Sequence, residues 1–68
     1  MNWLEEATHR RLAVHTLDER TFEGVLRVAA DDGLLLWNAA LAGDTPIVLE
    51  GEVFVPRSNV SFVQTLRQ

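Results

Sequence analysis

The chain has 68 residues, enough for one small domain, and its 47% hydrophobic content exceeds what the interior of such a domain needs. It contains no cysteine, which excludes disulfides and thiolate metal sites, so we expect oligomerisation to supply part of the stability. A net charge of −4 argues against a general polyanion binder with a basic face.

The first eleven residues argue against a targeting segment. Glu5, Glu6, Arg10 and Arg11 stand where a signal peptide would have its apolar stretch. No apolar run approaches the roughly 20 residues of a membrane span. We therefore expect a cytoplasmic, intracellular protein with no membrane contact.

The chain begins with the pattern of a short helix over residues 1–10. Asn2 can cap this helix, and Glu5 three residues later completes a capping-box-like pair. Trp3 and Ala7 lie one turn apart on the same side. Because a helix this short does not persist alone, we expect it to pack on the rest of the domain.

Two strands joined by a tight polar turn follow the helix. The first is predicted over 11–17 and the second over 21–30. In the second strand Gly24 stands mid-strand, where glycine weakens a sheet unless the strand bends. A strongly bent strand is what a small barrel needs to close. The alternation predicts one face formed by Phe22, Gly24, Leu26 and Val28.

A third strand is predicted after the turn residues 29–33. Leu34–Trp37 is a continuous apolar run, which predicts a strand buried on both sides. The residues that follow include glycine, aspartate and proline, which are typical of a loop. We predict that this loop covers residues 38–46.

Two further strands complete the pattern. The fourth is predicted over 47–55, with Gly51 as a second bending point, and the fifth over 60–66 after a tight turn. One helix followed by five short antiparallel strands predicts an all-β fold class and a single domain over 1–68. The pattern fits a small bent barrel of the SH3-like or OB type and does not choose between them. It leaves the last two strands as candidate open edges.

Two short motifs stand on these strands. The first motif consists of an apolar residue, an arginine followed by a second apolar residue, the sequence Gly-x-Leu and, further along the chain, the sequence Leu-x-Leu. The residues that match it, in this order, are Val14 or Leu17, Arg20, Phe22, Gly24, Leu26, Leu34 and Leu36. The second is carried by Val55-Pro56-Arg57-Ser58-Asn59-Val60. With the helix and the spacing between motifs, this pattern resembles the Sm-like (Sm/LSm/Hfq) family over nearly the whole chain. The resemblance implies a barrel that closes with its copies into a hexameric or heptameric ring.

The chain departs from the family in the loops that line the pore and hold a uridine base. Its first loop lacks the family's asparagine and is one residue shorter. In the second, Pro56 stands at the position of the family's arginine and Arg57 at that of its glycine, and Glu19 replaces the glycine before Arg20. The resemblance therefore implies candidate nucleic-acid-binding residues in two altered loops: Asp31, Asp32, Gly33, Arg57, Ser58 and Asn59.

The sequence gives little support to an enzyme. His9 and His15 are its only histidines, and two such residues are typical of a protein surface. Asp31 and Asp32 resemble a solvated turn more than a paired-carboxylate site. Neither serine has a histidine or acid at a recognisable motif spacing, and there is no glycine-rich phosphate loop. We expect no catalysis, no cofactor and no metal.

Two hypotheses from different classes remain. In the first, a homo-oligomeric ring binds single-stranded, U-rich RNA through its pore loops, where Arg57 is the basic residue. In the second, the same fold assembles with itself or with a protein partner and binds no RNA. The family resemblance favours the first, whereas the altered loops and the acidic charge favour the second. Trp3 and Trp37 are expected to fill a core or a subunit contact, although aromatic side chains on a barrel surface can also stack bases.

Overall fold

The computed structural model describes residues 6–66 of the chain. Its elements are β1 (Arg11–Thr16), β2 (Thr21–Ala30), β3 (Gly33–Leu41), β4 (Ile47–Val48), β5 (Glu52–Pro56), a 3₁₀-helix (Arg57–Asn59) and β6 (Val60–Thr65). The predicted all-β fold is confirmed. Within the described range no helix is long and apolar enough to cross a membrane.

The first half of the predicted N-terminal helix lies outside the described residues. Trp3 belongs to that half. In the described half, Glu6 is helical and Ala7 begins a turn that ends at His9 with a positive φ of 73°. Backbone hydrogen bonds tie this segment to β2, because His9 N–H donates to Leu26 O at 2.7 Å and Leu26 N–H donates to Arg10 O at 2.9 Å. Ala7, only 3% exposed, joins the core.

All strands belong to one antiparallel sheet in the order β4-β3-β2-β1-β6, and β5 also pairs with β3. The first half of β3 pairs with β5, from Gly33 opposite Pro56 to Trp37 opposite Glu52, and its end pairs with β4. β4 and β5 therefore share one edge of the sheet, and β6 forms the other. The prediction that the last strands are open edges holds for the described chain.

The concave side of the sheet encloses the core. Its largest fully buried side chains come from β1, β2 and β3: Leu12, Val14, Leu26 and Leu36. Burying a side chain of this size contributes about 1.5–3 kcal/mol. Three strands that bend around four such residues thus supply most of the apolar burial that positions the loops.

At Gly24, where a bend of the strand was predicted, the ladder between β2 and β3 is irregular. Between Glu23 and Val25 the ladder shifts, because β3 carries one residue more than β2 at this point. The extra residue lies at Asn38, whose φ is 51°. A Cβ added to Gly24 would stand 2.9 Å from the carbonyl oxygen of Trp37. Glycine is therefore required by the close approach of β3.

The prediction that Val28 shares a face with Leu26 is wrong. A second irregularity between Leu26 and Val28 places an extra residue, Arg27, on β2. The alternation changes phase at such a bulge, so Val28 is 45% exposed and Ala29 packs against the core instead.

The third strand is longer and less buried than predicted. β3 continues to Leu41, so the first residues of the predicted loop 38–46 belong to the strand, which the bulge at Asn38 allows to continue. Leu34 and Leu36 face the core, whereas Trp37 is 41% exposed. The apolar run thus alternates between faces and is not buried on both.

The fourth predicted strand is two strands. β4 ends at Val48 and β5 begins at Glu52. Between them Gly51 has a φ of 77°, which interrupts the ladder and does not merely bend it. Leu49 N–H still donates to Ala39 O at 2.9 Å, so the chain stays close to β3 through the break.

Candidate functional site

Three turns meet at one end of the barrel: residues 17–20, 31–32 and 57–59. The 3₁₀-helix lies between the other two turns and is tied to both through its backbone. Arg57 N–H donates to Asp32 O at 2.8 Å, and Leu17 N–H donates to Asn59 O at 2.8 Å. The structure therefore brings the two candidate loops together and adds a third turn to them. We call this region the loop end.

Arg57 is the one arginine of the two candidate loops. Its exposed guanidinium donates from Nη1 to the carbonyl oxygen of Asp31 across a long 3.4 Å. Pro56 is the last residue of β5, and Arg57 begins the 3₁₀-helix. The shift by one position relative to the family motif thus moves the guanidinium from a strand end to the first residue of a turn.

The other residues of the two loops differ in exposure. Asp31, Asp32 and Ser58 are exposed, whereas Gly33 is buried. A Cβ at Gly33 would stand 2.5 Å from Val55 O and would also collide with the ring of Phe54. Gly33 therefore allows the Phe54 ring to lie on β3, while the neighbouring carboxylates face solvent.

Asn59 is held by the turn between β1 and β2. Its Nδ2 donates to Asp18 Oδ1 at 3.5 Å. The same carboxylate accepts the hydroxyl of Thr16, and that hydroxyl accepts Arg20 N–H at 3.0 Å. The hydrogen bond from Thr16, followed by the charge of Arg20 and the amide of Asn59, lowers the pKa of Asp18 below its ordinary value of 3.8.

The Thr16–Asp18 network was not predicted from the sequence. Thr16 is buried, with 5% exposure, and a buried hydroxyl requires a partner. That requirement was the available signal, but Asn59 lies 41 residues away from Asp18 and no local pattern joins them.

Glu19 has a φ of 65°. This left-handed conformation favours glycine, and Glu19 stands at the position where the family motif has one. The turn therefore holds a non-glycine residue in a backbone conformation that glycine adopts without strain.

The loop end is acidic. It carries two guanidinium groups, those of Arg20 and Arg57. Against these stand four carboxylates, those of Asp18, Glu19, Asp31 and Asp32. Only one of the two arginines forms an ion pair here among the described residues, Arg20 with Asp18 at 3.8 Å. An incoming polyanion would meet more negative than positive charge.

Exposed aromatic side chains lie on the outer face of the sheet, among them Trp37 and Phe62. Trp37 donates from Nε1 to Glu52 Oε2 at 2.6 Å, and the guanidinium carbon of Arg27 lies 4.5 Å from the centre of the Trp37 ring system. On β6, Phe62 stacks on His15 with ring centroids 4.1 Å apart. The tryptophan that sequence reasoning weighed as a core or base-stacking residue is thus a fixed surface residue.

No protein family and no curated protein matches the chain by sequence. The solved structures that share its fold include the following three. A heptameric archaeal Sm protein is 24% identical with a TM-score of 0.85, over 94% of this chain and 96% of that one. The P. aerophilum SmAP1 heptamer is 24% identical with a TM-score of 0.86, over 96% and 89%. A chain of the NatC complex bound to CoA is 25% identical with a TM-score of 0.78, over 93% and 83%. The chain has an Sm-like fold.

Proposed function

We propose that the protein assembles with copies of itself into a ring, and that the ring binds single-stranded RNA at the loop end. The observation that carries the assembly is the pair of free edges, β4 with β5 on one side and β6 on the other. A free edge exposes unpaired backbone N–H and C=O groups, which a second chain can satisfy. Pairing one edge with the opposite edge of a copy is head-to-tail, and such contacts close into rings when the rotation permits.

The apolar surface of the two edges supports the same assembly. Ile47, Val48 and Phe54 on one edge and Phe62 on the other are 48–79% exposed. A chain this small gains much of its stability from covering such surface. The two similar Sm proteins are heptamers, and we infer a hexamer or heptamer for this chain.

Light scattering on the purified protein tests the assembly. We expect a mass several times the subunit mass of 7.6 kDa, independent of protein concentration over the micromolar range. A monomer at micromolar concentration would contradict the proposal.

Arg57 supports RNA binding. In a ring, one arginine per subunit becomes a circle of guanidinium groups around the axis. Their charge dominates within a Debye length of about 8 Å, and guanidinium donors bind phosphate and base edges. Because the first loop lacks the asparagine and carries two aspartates, we expect weak, salt-sensitive binding with little selectivity for uridine.

Fluorescence anisotropy with labelled oligo-U and oligo-A, at low and moderate salt, tests the RNA part. Arg57→Ala should weaken binding to both oligomers and flatten the salt dependence. The matched control is Arg27→Ala, which removes the same charge from the outer face, where Arg27 lies over Trp37, and should leave binding unchanged. Equal affinities of wild type and Arg57→Ala would remove Arg57 from the site.

A protein-assembly module that binds no RNA is the second candidate. The excess of carboxylates at the loop end favours it, and one similar chain belongs to the NatC protein complex. A ring that shows no binding to either oligomer at low salt, and no nucleic-acid absorbance after purification, would establish this alternative.

A further inference from the structure

We infer that Phe54 of one subunit contacts Phe62 of the next, so that an aromatic seam on the outer face closes the ring. This inference rests on the proposed assembly and identifies the side chains that stabilise it. Both phenylalanines belong to free-edge strands, Phe54 to β5 and Phe62 to β6, and they are 48% and 54% exposed.

Both rings lie on the same face of the sheet. Phe54 stands between Val53 and Val55, which pack on the core, so its side chain points outward. Phe62 is opposite His15 in the ladder and stacks on it, while the neighbouring Val63 packs on the core. In an antiparallel pairing whose register sets Phe54 opposite Phe62, the two rings are neighbours on adjacent strands, about 5 Å apart at their Cβ atoms.

Each ring is already fixed by its own subunit. Gly33 lacks a side chain, and the ring of Phe54 lies over it. Phe62 is held by His15, whose ring nitrogens in turn lie 2.7 Å from Gln64 Oε1 and 3.1 Å from Thr21 Oγ1. Fixed aromatic rings lose little conformational entropy on binding, and aromatic pairs on adjacent strands attract each other.

The charges along the two edges fit a second copy. β6 carries no charged residue between Val60 and Thr65, and the carboxylate of Glu52 on β5 already accepts Trp37. Closing the seam therefore brings no like charges into contact, although each subunit has a net charge of −4. An apolar seam is not weakened by salt, whereas phosphate binding is.

Thiol cross-linking tests the contact, because the chain has no cysteine of its own. Phe54→Cys and Phe62→Cys chains are mixed and treated with a short bis-maleimide. We expect a covalent dimer from the mixture and little from either variant alone. A chain carrying both substitutions should give a ladder that ends at the size of the ring. The control pairs Phe62→Cys with Val28→Cys, which is equally exposed but lies on an interior strand, and should not cross-link.

Assembly is measured in parallel with Phe54→Ala, Phe62→Ala and the control Val28→Ala. Each phenylalanine variant should raise the concentration at which half of the ring dissociates about tenfold, with circular dichroism unchanged. Moderate salt should not dissociate the wild-type ring. An intact ring whose stability is unaffected by both phenylalanine variants would overturn the seam while leaving the ring in place. A monomeric wild type would instead overturn the proposed function itself.

Discussion

Two regions of the molecule, the contact between β2 and β3 and the loop end, restrict their residues in different ways. Residues of the Sm-like motif contribute to both regions. At the strand contact, Gly24 and Leu26 match the motif, and space is so limited that a single Cβ on Gly24 would meet backbone. At the loop end, the residues differ from the motif at Glu19, Pro56 and Arg57. The turns are held by main-chain hydrogen bonds and by one threonine–aspartate pair.

This difference indicates which part of the chain tolerates change. A close-packed interior responds to a single methyl group, so its residues are restricted by volume. A solvent-exposed turn needs only a permitted φ and a partner for each buried polar group, which several residue types supply. Residues at the loop end can therefore change while the fold is kept.

Substituting Gly24 tests the contact between β2 and β3 and should change the stability of the fold more than the other substitutions do. Gly24→Val places a branched side chain against Trp37 O, and we expect a loss of about 1–3 kcal/mol, typical of overpacking. Thermal melts at a fixed protein concentration measure it. Gly43→Val is the matched control, since nothing lies within 4 Å of a Cβ at Gly43. Equal melting temperatures for the two variants would contradict the close approach of β3.

Replacing Glu19 tests the loop end. Its effect on the stability of the fold should be smaller than that of Gly24→Val and of the opposite sign. Glycine adopts the positive φ of this position without strain, so Glu19→Gly should stabilise the fold by about 0.5–1 kcal/mol after its entropic cost. Asp44→Gly, at an exposed position without positive φ, should give no gain. A destabilised Glu19→Gly variant would show that the side chain, and not the backbone, determines this turn.

The smallest expected effect is the contribution of Asp18 to the pH dependence of folding stability. Its pKa is lowered in the folded state, so its contribution is present above the ordinary value of 3.8 and is lost as the pH falls through the folded pKa. Melting temperatures from pH 7 to 3 should therefore differ between wild type and Asp18→Asn at the upper end and converge at the lower end. A constant difference over this range would indicate that the charge of Asp18 does not contribute.

Much of the strand scaffold follows from the sequence, and two of the failed predictions have the same physical cause. The alternation places Phe22, Gly24 and Leu26 correctly, since Gly24 and Leu26 are buried and Phe22 packs on the core. It fails at Val28, which follows the extra residue Arg27, and the predicted end of the third strand fails at Asn38, where an extra residue on β3 lets the strand continue. A bulge is set by how two distant strands fit together, and no residue pattern within one strand specifies it.

The loop end is less predictable because its partners are distant in sequence. The motif spacing identified residues 31–33 and 57–59, and the structure brings these segments together. The roles of Thr16 and Asp18 depend on Asn59 and on the depth of burial. The sequence contains those residues but not the distances between them.

The interruption at Gly51 also limits what the exposed edge can do in a crowded solution. An unbroken strand over 47–56 would offer one long, flat, apolar template of the kind on which chains stack into fibrils. Here the template is divided into pieces of two and five residues, separated by a backbone in the left-handed conformation. A chain that stacks on this edge in a wrong register then forms only a few backbone hydrogen bonds. The break at Gly51 therefore reduces the tendency of the edge to aggregate.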